Sequence, residues 1–161
     1  MTRIVPVISE RTIVRIPKAE RAAKRERWVR IAEDAARQSD AKWLPEIREA
    51  VDFKDALPLV RETTCFIGAL TNPPPRPLMA AVAEKVEVKG GGGQGKSDIP
   101  LSTSTSNLDL SVFIGPEGDF TPEELAALME IAVPTSFGPT ILRAETAAIY
   151  AVSVLAATLS A

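Results

Sequence analysis

Short apolar runs and a segment of helical periodicity make up the first part of the chain. Ile4–Ile8 and Thr12–Ile16 have the apolar, β-branched character of strands, and Pro6 predicts an edge position or a bulge in the first. From about Lys18 to Ser39 the spacing of apolar residues becomes helical. The residues assigned to the apolar face of that helix are Trp28, Ile31, Ala32, Ala35 and Ala36. The pattern predicts two strands followed by an amphipathic helix with a basic outer side.

The middle of the chain contains a continuous apolar run that is typical of a central, buried strand. This run is Thr64–Leu70, and a shorter strand is predicted before it at Glu46–Val51. After the run, Leu78, Ala81 and Val82 lie at the spacing of one helix face. A short helix is therefore expected there.

The last third of the chain again alternates between strands and helices. The predicted elements are a strand at Leu110–Ile114, a helix from Pro122 to about Ile131, a strand at Thr135–Phe137 and a helix from Ala144 to about Thr158. Thr121 and Glu124 match a capping box, and Pro122 suits the first helical position. This alternation predicts an α/β protein with a mainly parallel sheet. The closing helix is apolar nearly all round, so we expect it to be covered on more than one side, as at an interface with a second subunit.

One segment differs in composition from the rest. Lys89–Asn107 contains four consecutive glycines followed by alternating Ser and Thr, and it is expected to be a flexible insert. Gly90, Gly95, Lys96 and Ser97 match the spacing of a phosphate-binding loop. That loop needs a strand before it and a helix after it, and the residues after Ser97 cannot begin a helix. We therefore predict that the match is accidental.

Composition removes several kinds of chemistry. The chain has 161 residues, 45% hydrophobic and 25% charged, as expected for one globular domain. It has no histidine and one cysteine, Cys65, which is predicted to be a buried thiol. Histidine general bases, histidine-activated nucleophiles, disulfides and most zinc sites are excluded, and no metal site is predicted. The sequence shows no membrane span or leader, so we expect an intracellular protein.

Charge is distributed unevenly along the chain. The formal net charge is −2, but the segment Arg11–Arg30 contains eight Lys and Arg residues and only two Glu residues. Two interpretations stay open for this basic segment: a solvated helix face, or a surface that contacts nucleic-acid phosphates.

Two glycine turns are candidates for ligand binding. Gly115-Pro116-Glu117-Gly118 follows an apolar strand directly, where backbone can approach a ligand closely. Phe137-Gly138 leads past Arg143 and Glu145 into the uncharged closing helix, and charges in such a place are seldom there for packing. Each turn, taken alone, also fits an ordinary tight turn.

Together these segments resemble the RsmE-type methyltransferases of the SPOUT superfamily. Gly115–Phe120 and Gly138–Ala147 are similar to the two C-terminal signatures of that family, and Ile4–Arg11 and Ala35–Ser39 are similar to its upstream motifs. The resemblance covers most of the chain except the insert. Family members usually have a second glycine where this chain has Asp119.

The resemblance implies a fold and a domain organisation. The expected fold is a SPOUT-type α/β knot, with a deep C-terminal trefoil knot and a mainly parallel sheet flanked by helices. Residues 1–161 would form a single domain, without the family's N-terminal RNA-binding barrel and without the first strand and helix of the knotted domain. The family also implies a homodimer.

The resemblance further implies S-adenosylmethionine as the methyl donor, bound in a bent conformation among three loops. Backbone amides and carbonyls would hold most of the adenine. The implied donor-binding residues are Leu70, Gly115, Pro116, Glu117, Gly118, Phe137, Gly138, Ile141, Leu142, Arg143 and Thr146.

The implied activity is methylation of N3 of one uridine in small-subunit (16S) ribosomal RNA in the cytoplasm, or in an organelle if a transit segment is missing. Arg143 would stabilise the anion that develops on uracil, and Glu145 or Glu117 would accept the N3 proton. A salt bridge is the structural alternative for Arg143 and Glu145. RNA contacts are expected from Arg11, Arg21, Lys24, Arg25 and Gln38. The competing function is a catalytically inactive remnant that dimerises or binds RNA.

Overall fold

The computed structural model describes residues 2–69, 73–90 and 109–159, and within 87–90 it describes the backbone alone. The strands are β1 Arg3–Ile4, β2 Val7–Ile8, β3 Glu46–Ile47, β4 Val51–Asp52, β5 Thr64–Gly68, β6 Leu110–Phe113 and β7 Ala132–Thr135. The helices are α1 Arg21–Gln38, α2 Phe53–Ala56, α3 Leu78–Gly90, α4 Pro122–Met129 and α5 Ala144–Leu159. Two compact units are present: an N-terminal unit of residues 1–59 and 115–127, and a C-terminal unit of residues 60–114 and 128–161.

The N-terminal unit contains two short parallel strand pairs. β1 pairs with β3 and β2 pairs with β4, so Pro6 separates two ladders where the sequence predicted one strand, Ile4–Ile8. Proline cannot donate to a ladder, which explains the interruption. Glu46–Val51 is likewise divided into β3 and the start of β4.

The strand predicted at Thr12–Ile16 is wrong. The Thr12 N–H donates to the Ser9 carbonyl at 3.2 Å, and this turn leads into an irregular segment. Ile13 and Val14 are 80% and 67% exposed. The apolar spacing was that of a strand, but in the described residues no neighbouring strand pairs with this segment.

Helix α1 follows a single 3-10 turn, Lys18–Glu20, close to the bounds predicted from its periodicity. Trp28, Ala32 and Ala36 are half-buried, but Ile31 is 56% exposed and Ala35 is also exposed, so the predicted apolar face is wrong at those two positions. The helix is followed by a residue in the left-handed conformation, as is common at helix C-termini. Asp40 has a φ of 50°, and the Ala41 N–H donates to the Ala36 carbonyl at 3.0 Å.

Guanidinium groups attach α1 to the strands beside it. Arg21 Nη2 lies 2.5 Å from Asp52 Oδ1, and Arg25 Nε donates to the Ile47 carbonyl at 2.8 Å. The Arg21 side chain is only 12% exposed. The hydrogen bond from Arg21 is the main cause that lowers the pKa of Asp52 below its ordinary value, with a smaller contribution from Lys18. Two of the basic residues in the Arg11–Arg30 segment thus hold the helix in place.

The C-terminal unit is built on a three-stranded parallel sheet in the order β6-β5-β7. The central strand was correctly predicted: Phe66 and Ile67 in β5 are fully buried, as are Leu78 and Val82 on α3. Thr135, also fully buried, donates its hydroxyl to the Ile67 carbonyl at 3.1 Å. β7 begins three residues before the predicted strand.

Cys65 is buried as predicted, whereas the C-terminal unit covers only part of the closing helix. Cys65 is a buried thiol, as predicted, and its burial raises its pKa to about 11. Helix α5 packs on α3 and buries Ala147 and Ala151, whereas Ile149 and Val152 stay 69% and 38% exposed. Within the C-terminal unit, one face of α5 is therefore covered and another is not.

The predicted insert falls mostly outside the described residues. Helix α3 extends through Gly90, so the first two residues of the predicted Lys89–Asn107 insert are helical, and residues 91–107 are not described. A helix also precedes the phosphate-loop match, where that motif needs a strand. The trefoil knot and the single-domain organisation remain predictions.

None of the helices in the described ranges is long and apolar enough to cross a bilayer.

Asp52→Asn tests the attachment of α1. We expect a lower free energy of unfolding at neutral pH, because the shielded Arg21 guanidinium loses its carboxylate. The folded-state pKa of Asp52 is below its ordinary value of 3.8, so this stabilisation is present above that value and is lost as the pH falls through the folded-state pKa. Urea unfolding of both proteins across this range should show a difference that shrinks at acidic pH. A pH-independent difference would contradict the assignment.

Candidate active site

The turn after β6 is closed by its own backbone and by an aspartate. The Asp119 N–H donates to the Pro116 carbonyl at 2.9 Å. Asp119 has a left-handed φ of 57°, and its Oδ1 accepts from the Phe120 N–H at 2.8 Å. Left-handed backbone favours glycine and tolerates aspartate, whose short side chain can hydrogen-bond locally. Asp119 therefore occupies a position where glycine would be the usual choice.

The two glycines of this turn lie in close contact with side chains of the N-terminal unit. A Cβ at Gly115 would lie 3.3 Å from both Asp119 Oδ1 and the Phe120 ring, and a Cβ at Gly118 would lie 3.2 Å from Arg11 Cβ. Neither glycine is among the residues with positive φ. Their role in the turn is thus steric, and sequence spacing alone gave no sign of the Arg11 contact.

Helix α4 begins with the predicted capping box. The Thr121 N–H donates to Glu124 Oε2 at 3.0 Å, and the Glu124 N–H donates to Thr121 Oγ1 at 3.2 Å. The other carboxylate oxygen of Glu124 accepts from the Glu10 N–H at 2.9 Å. Phe120, 5% exposed, stacks its ring on Phe53 with centroids 5.7 Å apart. The start of the helix is therefore held by the hydrogen bond from Glu10, and the turn is held by the ring contact with Phe53.

The second glycine turn lies in the C-terminal unit after β7. Gly138 has a φ of +129°, and apart from its chain neighbours none of the described residues places an atom within 4 Å of where its Cβ would be. The Gly138 N–H donates to Ser136 Oγ at 3.2 Å. The Phe137 ring packs on Tyr150 with centroids 5.6 Å apart, and a Cβ at Gly68 would lie only 2.9 Å from that ring. The turn thus exposes its backbone on one side and is supported by an aromatic pair on the other.

The charged residues after this turn begin the closing helix. The Arg143 carbonyl accepts from the Ala147 N–H at 2.8 Å, and Glu145 lies in the first turn of α5. Both side chains are exposed, and neither takes part in an ion pair within the described residues. The alternative of a structural salt bridge therefore has no support from these contacts.

The remaining predicted donor-binding residues differ in accessibility. Ile141 is 79% exposed, Thr146 is exposed and Leu142 is half-buried. Leu70 lies outside the described residues.

The predicted RNA-contacting residues divide into two groups. The guanidinium groups of three of them are hydrogen-bonded within the N-terminal unit: Arg11, Arg21 and Arg25. Lys24 is half-buried and Gln38 is exposed. Arg27 and Arg30, on the same helix, are exposed and make no hydrogen bond or ion pair within the described part of the chain. The accessible positive charge of α1 thus lies mainly at residues other than those predicted.

A groove of about 1120 Å³ runs along the N-terminal end of α4 in the N-terminal unit. Its lining includes five carboxylates, among them Asp55 and Glu123, against Arg15 and Lys54. This charge balance disfavours phosphate groups. No three histidine, cysteine, aspartate or glutamate side chains among the described residues are grouped as a metal ion requires.

Comparison with known proteins identifies the family. The family model described as "RNA methyltransferase domain" matches residues 1–156. The chain belongs to this family. The match extends across both compact units and both glycine turns, in agreement with the resemblance noted in the sequence.

Individual relatives are similar along almost the whole chain. The ribosomal RNA small subunit methyltransferase E of Bacillus subtilis is 29% identical over 94% of this chain, and that of Synechocystis is 29% identical over 91%. The crystal structure of the Neisseria gonorrhoeae methyltransferase E, bound to S-adenosyl methionine, aligns with 96% of the chain at 25% identity and a TM-score of 0.67. The chain spans 54%, 41% and 53% of these three proteins. It therefore corresponds to about half of each relative.

Gly68→Ala tests the support of the second turn in this methyltransferase domain. The added methyl group would collide with the Phe137 ring, so we expect a loss of about 1–3 kcal/mol in the free energy of unfolding. Denaturant unfolding followed by circular dichroism measures it. Combining Gly68→Ala with Phe137→Leu should recover part of the loss, because the smaller side chain leaves room. A double variant less stable than the sum of both changes would contradict this packing.

Proposed function

We propose that the chain transfers a methyl group from S-adenosylmethionine to N3 of a uridine in small-subunit ribosomal RNA. The observation that carries this proposal is the match of residues 1–156 to the RNA methyltransferase domain. Relatives named ribosomal RNA small subunit methyltransferase E cover more than nine-tenths of the chain, and one of them was crystallised with S-adenosyl methionine. These relatives support both the donor and the RNA substrate.

The donor-binding residues that we propose are those of the two glycine turns, Gly115–Gly118 and Phe137–Leu142, together with Leu70, Arg143 and Thr146. The second turn fits such a ligand, since the described residues leave open space beside Gly138 and its φ of +129° turns the backbone in a way few side chains allow. Ile141, which is 79% exposed, provides apolar surface that a nucleoside can cover. Adenine recognition would then rest mainly on backbone amides and carbonyls.

The chemistry assigns simple roles to the charged residues. The bound donor supplies a methyl carbon activated by its sulfonium. Arg143 is proposed to stabilise the negative charge that develops on the uracil carbonyls, and Glu145 or Glu117 to accept the proton that leaves N3. All three side chains are exposed in the described structure, so solvent and substrate can reach them. Correct placement of the nucleobase is expected to contribute much of the rate.

A homodimer is part of the proposal. The face of α5 that the C-terminal unit leaves uncovered carries Ile149, Val152 and Leu159, which are 69%, 38% and 40% exposed. Apolar side chains grouped on one helix face suit a subunit interface. Because ribosomal RNA is the proposed substrate, we place the activity in the cytoplasm.

Donor binding separates an active domain from an inactive remnant. Titration of the folded chain with S-adenosylmethionine, and separately with S-adenosylhomocysteine, should give saturable heat in a calorimeter. ATP serves as the control ligand and should give none, because the phosphate-loop match is predicted to be accidental. If neither compound produces heat at millimolar concentration, the chain is a non-catalytic remnant.

The second experiment concerns the RNA surface. Arg27→Glu combined with Arg30→Glu should weaken RNA binding by about tenfold at low salt and flatten its salt dependence, since phosphate contacts act through counterion release. Donor affinity should not change. Filter binding at several salt concentrations gives the RNA affinity and its salt dependence.

The matched control is Arg61→Glu combined with Lys85→Glu, which alters the net charge equally at exposed positions of the C-terminal unit. This control should leave the RNA affinity near that of the unmodified chain. Equal losses in the two double variants would mean that net charge alone, and not the α1 surface, governs binding.

A further inference from the structure

We propose that Arg11 and Glu124 are positioning residues that hold the Gly115–Phe120 turn in the shape that binds the methyl donor. The inference rests on the proposed function for the identity of the ligand. It assigns to Arg11 a role different from the phosphate contact expected from sequence. The contacts involved all lie within the N-terminal unit.

Arg11 bridges two carbonyl groups of the turn. Its Nη1 donates to the Gly118 carbonyl at 3.0 Å and to the Phe120 carbonyl at 3.3 Å. These carbonyls flank Asp119, the residue with the left-handed φ of 57°. A single charged donor on both carbonyls resists rotation of the Gly118–Asp119 and Phe120–Thr121 peptides, which enclose Asp119 and Phe120. Arg11 therefore stabilises the least favourable backbone conformation in the turn.

Glu124 fixes the same segment from the helix side. One carboxylate oxygen accepts from the Glu10 N–H at 2.9 Å, and the other accepts from the Thr121 N–H at 3.0 Å. Glu10 precedes Arg11, and Thr121 follows Phe120. Arg11 is thus hydrogen-bonded to the start of the segment from Gly118 to Thr121, and Glu10 is connected to its end through Glu124.

The loop that carries Arg11 is itself well held. Ser9 is only 3% exposed, its N–H donates to Thr12 Oγ1 at 3.0 Å, and the two hydroxyl oxygens lie 2.9 Å apart. Gly118 approaches the loop so closely that a Cβ would lie 3.2 Å from Arg11 Cβ. A rigid loop in close contact with the turn can determine the shape of the turn, as a mobile surface arginine could not.

The two roles for Arg11 predict different results for lysine. A phosphate contact tolerates lysine, because the ammonium keeps the positive charge. The carbonyl bridge does not, because the lysine side chain is shorter and lacks the planar guanidinium. Arg11→Lys therefore distinguishes positioning from RNA contact while it preserves the net charge.

The experiment uses the full chain in four variants: Arg11→Lys, Arg11→Ala, Glu124→Ala and, as the control, Arg37→Ala. Arg37 is an exposed arginine whose one ion pair among the described residues is with Asp34, one turn earlier on α1. Calorimetry with S-adenosylhomocysteine, the demethylated form of the donor, measures affinity for the donor site. Filter binding measures RNA affinity, and hydrogen exchange measures the protection of the amides of Gly118 to Thr121.

We expect Arg11→Lys, Arg11→Ala and Glu124→Ala to bind the donor about tenfold more weakly, as for loss of a charged hydrogen bond, with faster exchange at Gly118 to Thr121. Arg11→Lys should retain its RNA affinity within twofold, and Arg37→Ala should match the unmodified chain in donor affinity and exchange. If Arg11→Ala does not fold, Arg11→Lys and Glu124→Ala carry the same test.

Two outcomes would overturn the inference. Arg11→Lys with unchanged donor affinity and unchanged exchange would show that the bridge does not position the turn. Loss of RNA affinity in Arg11→Ala, without change in donor affinity, would restore the phosphate role. Failure of the proposed function is a separate result: the unmodified chain would bind no donor, and the exchange data would still decide whether Arg11 and Glu124 hold the turn.

Discussion

The parallel backbone ladder of β5 is the constraint on which the C-terminal unit depends. Both neighbours of β5 run in the same direction, with Ile67 opposite Phe113 in β6 and opposite Pro134 in β7. Because all three strands run in the same direction, they end at the same edge of the sheet, and crossover connections join them. Gly68 therefore lies beneath Phe137, and the second glycine turn stands at the position where α/β proteins usually bind ligands.

Features that depend on local chemistry could be predicted from the sequence. The capping box of Thr121 and Glu124, the buried run around Phe66 and the helical spacing of Leu78 and Val82 each involve residues that are neighbours along the chain. The two glycine turns were located for the same reason. Four or five adjacent residues contain the information that forms such elements.

Features that depend on distant pairing could not be predicted in this way. Thr12–Ile16 has the composition of a strand, but composition does not provide a partner strand. The Arg11 contact with Gly118 joins residues 107 positions apart, and the Glu124 contact with Glu10 joins residues 114 apart. The basic stretch was recognised as a charged surface, yet Arg21 and Arg25 serve to attach α1 to β3 and β4. Charge counting cannot tell a guanidinium that binds its own backbone from one that faces solvent.

Asp119 shows how a departure from a family pattern can be explained by backbone geometry. The resemblance noted in the sequence implies glycine at this position, and the φ of 57° is a backbone conformation that favours glycine. The aspartate carboxylate offsets part of the strain through its bond to the Phe120 N–H, while Arg11 holds the neighbouring carbonyls. The turn can therefore keep its conformation without the second glycine.

Analysis of the RNA product is the decisive test of the proposed methylation of uridine N3 by this chain. The chain would be incubated with unmodified small-subunit ribosomal RNA and isotopically labelled S-adenosylmethionine, and the digested RNA analysed by mass spectrometry. We expect labelled 3-methyluridine at one position, and none when the donor is omitted. Labelled methyl groups on another base or on ribose, or RNA without label after donor binding has been demonstrated, would contradict it.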